Sequence, residues 1–242
     1  MRSGTARDPV SGFELPWRLF VPPTYDENRK YPLVLFLHSG DARGDDNVRH
    51  LTEDVGEWTS RAQRVEPALV LAPHCPGGRK WADTGGRPFR NYDQRQVKEN
   101  EVGRAVRKAL EDVRGQYSID PERLYISGAS MGGTGTWDLI TRHPGSFAAA
   151  VPCTGVSDPR RAEVIVELPI WAFHGALDNA NSVENTRAMV SALRSLGSGV
   201  RYTEYADVAH NSWARAYAMD ELYRWLFVQR AHRRDPLGQR RK

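Results

Sequence analysis

Six short apolar runs, each closed by polar, Gly or Pro residues, recur along the chain with helix-patterned segments between most of them. The first is Leu33-Val34-Leu35-Phe36-Leu37, entered by Pro32 and ended by His38-Ser39-Gly40. Residues 68–72, 123–127, 147–151, 169–173 and 200–205 supply the others, and residues 15–21 can add an antiparallel edge strand upstream. Runs of this length without polar alternation fit strands buried on both faces, as in a parallel sheet. Helical spacing of apolar residues fills 100–117 (Val102, Ala105, Val106, Ala109, Leu110, Val113), 181–196 and 213–229. The alternation predicts an α/β fold, a mostly parallel sheet with helices on both faces.

At 242 residues, 40% hydrophobic and 26% charged, the chain can bury a sizeable core in one large domain. No linker or repeat interrupts it before residue 229, so 1–229 reads as one unit. The net charge is +4, yet residues 230–242 hold six Lys/Arg against Asp235, a net of +5, which leaves −1 for the remainder. The basicity therefore belongs to a polar, disordered tail rather than to a nucleic-acid-binding face. No apolar run approaches the ~20 residues of a membrane helix. The opening MRSGTARDPVSGFELPW lacks an apolar export core, so a cytoplasmic chain and a secreted one already cleaved are both expected readings. The seven His and two Cys form no zinc-type spacing, so neither metal nor cofactor is expected. Cys75 and Cys153 follow strands that the usual order separates by two others, about 14 Å at ~4.8 Å per strand, too far for a disulfide. Free thiols follow.

Gly128-Ala129-Ser130-Met131-Gly132 is the chemically telling stretch. G-x-S-x-G alone is weak, but here a strand end precedes it and a helix pattern over 134–140 follows. That is the strand-to-helix turn in which a nucleophile elbow lies. A serine hydroxyl needs a base, and the base an orienting acid, in the order Ser, acid, His, each in a loop after a later strand. Asp178 follows the run at 169–173, and His210 follows that at 200–205. Asp158 comes one strand too early, and Asp207 is too near His210 in a loop to face it. His174 is expected to pack the turn that presents Asp178. For an oxyanion hole, the Met131 N–H is one expected donor and Gly40, or else Ser39, the second.

At these residues the chain resembles the α/β-hydrolase superfamily. Within it, the chain is similar to small lidless esterases related to feruloyl and acetylxylan esterases, polyhydroxybutyrate depolymerases and peptidases of the phospholipase/carboxylesterase type. The resemblance runs through ELPWRLFVPPTYDENRKYPLVLFLHSGDARGDDN, LAPHCPGGRKWAD, YSIDPERLYISGASMGGTGTWDLITRHPGSFAAAVPCTG, PIWAFHGALDNANSVENTR and AHNSWARAY. It implies an α/β-hydrolase fold, Ser130 as nucleophile, Asp178 as acid, His210 as base, and an oxyanion hole at Met131 and the His38 loop. Two positions depart from the pattern: Ser39 stands where relatives carry Gly, and His74 where they often carry Gln.

Only about fifteen residues separate Thr154 from Leu168, where lipases insert a lid, so an open cleft for short-acyl or polymer-attached esters is expected. The long loop at 76–99 carries Trp81, Phe89 and Tyr92. Trp81 and Trp213 are expected to form a platform for an aromatic or sugar moiety, and Trp137 to lie in the core. The expected activity is that of a serine carboxylic-ester hydrolase. A serine peptidase with the same triad is the enzymatic alternative, less favoured because no propeller or cap domain is visible. A catalytically silent binding protein is a third reading.

Overall fold

A computed structural model describes residues 1–85 and 92–231. Among the described residues, eight strands form one sheet in the order β1-β2-β4-β3-β5-β6-β7-β8. β1 (Arg2–Arg7) and β2 (Glu14–Phe20) are antiparallel to their neighbours. β3 (Tyr31–Leu37), β4 (Leu69–Pro73), β5 (Ile119–Ala129), β6 (Ala149–Cys153), β7 (Trp171–Gly175) and β8 (Arg201–Tyr205) are parallel.

β3 is buried along its whole length, as a strand covered on both faces must be. Leu33, Leu35 and Leu37 point to one side, where they pack with α2 (Glu101–Gln116), α3 (Met131–Arg142) and α4 (Glu184–Ser195). Val34 and Phe36 point to the other, with α1 (Glu53–Val65), α5 (Ser212–Tyr217) and α6 (Asp220–Phe227). The period-two alternation thus divides the core into two layers, one on each face of the sheet.

Several elements differ from the sequence expectation. β1 was not anticipated: of RSGTAR only Ala6 is buried, as befits a polar edge strand. α1 was also unexpected, because its buried Val55, Trp58 and Ala62 form a thin stripe. The single helix expected over 213–229 is two, since Met219 takes an extended backbone (φ −89°, ψ 114°) between α5 and α6. Cys75 and Cys153 are buried free thiols, with β3 and β5 between their strands. Between β6 and β7 there is a 3-10 helix, Pro159–Ile165, and no lid domain. Phe89 and residues 232–242 of the basic tail lie outside the described residues. Among the described residues, no helix is long and apolar enough to cross a membrane.

Candidate active site

Ser130 sits between β5 and α3 with φ 55° and ψ −110°, a region that side chains seldom occupy. The surrounding glycines make that turn possible. A Cβ on Gly132 would lie 1.8 Å from the Leu37 carbonyl oxygen, and one on Gly128 would lie 2.4 Å from the Gly132 backbone. Strand, helix and the end of β3 therefore touch backbone to backbone. The Ser130 N–H is held by the Cys153 carbonyl at 2.9 Å and by Thr154 Oγ1 at 3.2 Å. These contacts project the hydroxyl away from the sheet.

The hydroxyl reaches His210. Ser130 Oγ donates to His210 Nε2 at 2.8 Å, and His210 Nδ1–H donates to Asp178 Oδ2 at 2.8 Å. Asp178 also accepts the His174 Nε2–H at 3.1 Å and the N–H groups of Ala180 and Asn181 at 2.8 and 2.9 Å. Burial alone would raise the pKa of this carboxyl. The His174, His210 and Asn181 hydrogen bonds outweigh burial and hold it well below the usual carboxylate range. The loops bearing acid and histidine are laced together: Leu177 N–H donates to Val208 O, and a Cβ on Gly175 would strike the Ala209 carbonyl at 2.1 Å. Asp158 accepts hydrogen bonds from Gln94 and Arg160 instead, and exposed Asp207 pairs with Arg215.

The His38 loop lies directly beside the start of α3, where a Cβ on Gly40 would come 3.9 Å from Met131 Cβ. Ser39 O accepts from His38 Nδ1 at 2.7 Å and from Ala42 N–H at 3.2 Å. Because a trans peptide is planar, turning that carbonyl onto His38 turns the Gly40 N–H the opposite way. Gly40 and Met131 each begin a helix, so neither N–H has an acceptor within its own helix. His38 in turn accepts the Cys75 N–H and packs against His50 and His74. Burial, first among several causes, lowers the His38 pKa to about 3 and that of His50 to about 4, so both are neutral.

The residues converge on a cleft of about 590 Å³ lined by Ser39, Gly40, Ser130, Met131, His210 and Trp213, among others. Trp213 is half-buried, with its ring edge-on to His210 at 5.3 Å. Trp81 does not join it as a platform. Its side chain is 2% exposed, its Nε1–H donates to His38 O at 2.9 Å, and it packs on Gly135 of α3. The indole is thus spent on bracing the His38 loop. Tyr92 donates to Asp138, and Trp137 lies in the core. A hollow of about 640 Å³ opens at the other end of the sheet near Pro121, Phe147 and Pro169, but among the described residues no Ser, Cys or His lines it. Among the described residues, no group of three or more His, Cys, Asp or Glu could hold a metal ion.

Sequence reasoning missed Thr154 and Asn181. Thr154 (φ 49°) caps the Ser130 N–H, and Asn181 Nδ2 donates to Thr154 O at 2.7 Å, tying β6 to the Asp178 loop. Their positions just after β6 and Asp178 were the available signal.

The Esterase family model matches residues 12–222. The chain belongs to the Esterase family. A thermostable esterase of known structure is 39% identical with a TM-score of 0.86, covering 95% of this chain and 63% of that one. A bifunctional acetylxylan esterase/xylanase from Neocallimastix patriciarum is 25% identical over 194 residues, 80% of this chain and 26% of its own length. A dipeptidyl-peptidase 5 from Porphyromonas gingivalis is 27% identical over 154 residues, 60% of this chain and 20% of its own. The esterase-family chain thus spans about a quarter or less of these curated relatives. The mostly parallel sheet and unlidded cleft are those of the α/β-hydrolase fold.

Proposed function

We propose that this chain is a serine carboxylic-ester hydrolase working through an acyl-enzyme. The observation that carries the reading is the unbroken hydrogen-bond chain from Ser130 through His210 to Asp178, launched from a strained elbow. Ser130 Oγ attacks the ester carbonyl while His210 Nε2 takes its proton, then returns it to the departing alcohol. Water, deprotonated by the same nitrogen, releases the acid. The Met131 and Gly40 N–H groups receive the oxyanion, with Gly40 preferred to Ser39 because of the way its peptide is turned. The open cleft favours short acyl groups, and Trp213 offers a ledge for a hydroxycinnamoyl or sugar ring. Similarity to an acetylxylan esterase supports that substrate class.

The test is a panel of 4-nitrophenyl esters with methyl ferulate and acetylated xylan, run on wild type and Ser130→Ala. A fluorophosphonate probe should label Ser130 alone, and the mutant should lose both labelling and turnover. Labelling of another serine, or undiminished hydrolysis by the mutant, sinks the mechanism. The similarity to a dipeptidyl-peptidase favours a second reading, amide hydrolysis by the same residues. Turnover of peptide 4-nitroanilides comparable to that of the esters would establish it.

A further inference from the structure

The cleft carries two cations, Arg43 and Lys80, that no carboxylate among the described residues neutralises. Arg43 is half-buried. Its Nε donates to Gly40 O at 2.8 Å and its Nη1 to Arg79 O at 3.3 Å, both uncharged acceptors. Its Nη2 makes no hydrogen bond to a described residue and lies 4.0 Å from where a Cβ on Gly40 would stand. Elsewhere in the fold, half-buried arginines are matched: Arg104 with Asp8 at 2.8 Å, Arg142 with Asp138 at 2.8 Å, Arg123 with Glu66 at 2.7 Å. Arg18 is likewise held by a carbonyl, but away from the cleft. Neighbouring Arg79 is paired with Glu101 at 2.6 Å. Arg43 is thus a guanidinium fixed in place, with charge and donors unspent, beside the expected oxyanion donor.

A guanidinium already held by two carbonyls surrenders little freedom when it gains a ligand, and its remaining N–H groups suit an oxyanion. Lys80 stands exposed at the rim, its main chain tied down by Asn100 Nδ2. Within a Debye length of about 10 Å it adds attraction for the same charge. Asp41 is the opposing carboxylate in the cleft wall and is exposed, while Asp178 is spent on His210, His174 and two N–H groups.

We propose that the cleft takes esters bearing an anionic group, carboxylate or phosphate, close to the scissile carbonyl, with Arg43 as its direct partner and Lys80 as an attracting charge. This rests on the esterase reading above. The test pairs charged esters with neutral isosteres. Mono-4-nitrophenyl glutarate against 4-nitrophenyl valerate places the charge on the acyl side. On the alcohol side, 4-acetoxybenzoate is set against 4-acetoxybenzamide, and 4-acetoxyphenyl phosphate separates phosphate from carboxylate. At low ionic strength at least one charged ester should exceed its neutral partner about tenfold or more in kcat/KM, as one charge-assisted hydrogen bond supplies. Added salt should shrink that ratio. Arg43→Gln and Lys80→Gln should each lower it, and Asp41→Asn should raise it. Because Arg43 also holds the Gly40 carbonyl, the ratio is read rather than the rate. Lys80→Gln, which leaves the Asn100 bond to the Lys80 carbonyl in place, reads charge alone. Ratios at or below one throughout, or ratios unchanged in both variants, overturn the proposal. If wild type hydrolyses none of the esters, the esterase reading fails by itself. The anion site is then decided by calorimetric titration of Ser130→Ala with 4-acetamidobenzoate, 4-acetamidobenzamide, glutaric acid monoanilide and valeranilide. Tighter binding of an anionic amide than its neutral partner, lost in the added Arg43→Gln change, supports the site; equal or absent binding overturns it.

Discussion

Asp178 accepts hydrogen bonds from four donors, and this crowding decides how His210 can behave. With Oδ1 filled by Ala180 and Asn181 N–H, only Oδ2 faces the imidazoles, so His210 must present Nδ1–H and keep Nε2 bare toward Ser130. His174 donates to the same oxygen and is itself fixed by Thr186 Oγ1 at 2.7 Å. On the proposed mechanism, Asp178→Asn replaces an acceptor by an amide that can turn an N–H toward His210, favouring the wrong tautomer and removing the charge that stabilises imidazolium. The expected loss in kcat is about 10⁴-fold, with the circular-dichroism spectrum unchanged. A mutant keeping more than about a tenth of wild-type turnover would remove Asp178 from the mechanism.

The elements meet most tightly where β3, β5 and α3 cross, and there a methyl group has nowhere to go. Gly132→Ala would drive Cβ against the Leu37 carbonyl, rigid backbone rather than a movable side chain, so denaturant titration should show a loss of about 4 kcal/mol or more. Gly115, exposed in the last turn of α2 with open space around it, is the control. Gly115→Ala should be neutral or stabilising by up to about 1 kcal/mol. Equal effects at both sites would mean that the crossing is looser than described. This crossing was legible in the sequence because steric need leaves glycines behind, as double burial leaves the run Leu33–Leu37 in β3. The same logic explains what was hidden. β1 buries little beyond Ala6, and α1 shows its core only through Val55, Trp58 and Ala62, so neither imposes a pattern. Trp81 was misread because an aromatic in a long loop does not announce that its N–H has the His38 carbonyl to reach. Arg43 was overlooked because being unpaired is a property of space, not of order along the chain.

For the molecule as a whole, the three buried imidazoles beneath the His38 loop set an acid limit that differs from the carboxylate one. His38, His50 and His74 lie ring against ring, with centroids 4.3–5.8 Å apart. Burial is the largest influence lowering each pKa, to about 3 for His38 and about 4 for His50. Mutual repulsion adds to this for His38 and His50, as do Arg43 near His38 and Arg18 near His50, while Asp46 and Asp45 oppose it at His74. In the unfolded chain these groups titrate near 6.5, so between there and about pH 4 the unfolded state binds more protons than the folded one. Stability from neutral burial is therefore complete above about pH 6.5 and declines as pH falls, by up to about 1.4 kcal/mol per pH unit for each histidine. Asp8 and Asp178, with pKa values held low, contribute stability that fades mainly further down, because their unfolded counterparts are half protonated only at 3.8. Thermal melts between pH 7 and 4.5 should thus show a falling Tm over a range in which these carboxylates contribute little. His50→Gln retains an N–H for the Ala72 carbonyl, which His50 Nε2 serves at 3.0 Å, but cannot be protonated there. It should flatten the decline in Tm while leaving its onset near the same pH. A variant with the wild-type slope would place the acid sensitivity elsewhere than in the imidazole stack.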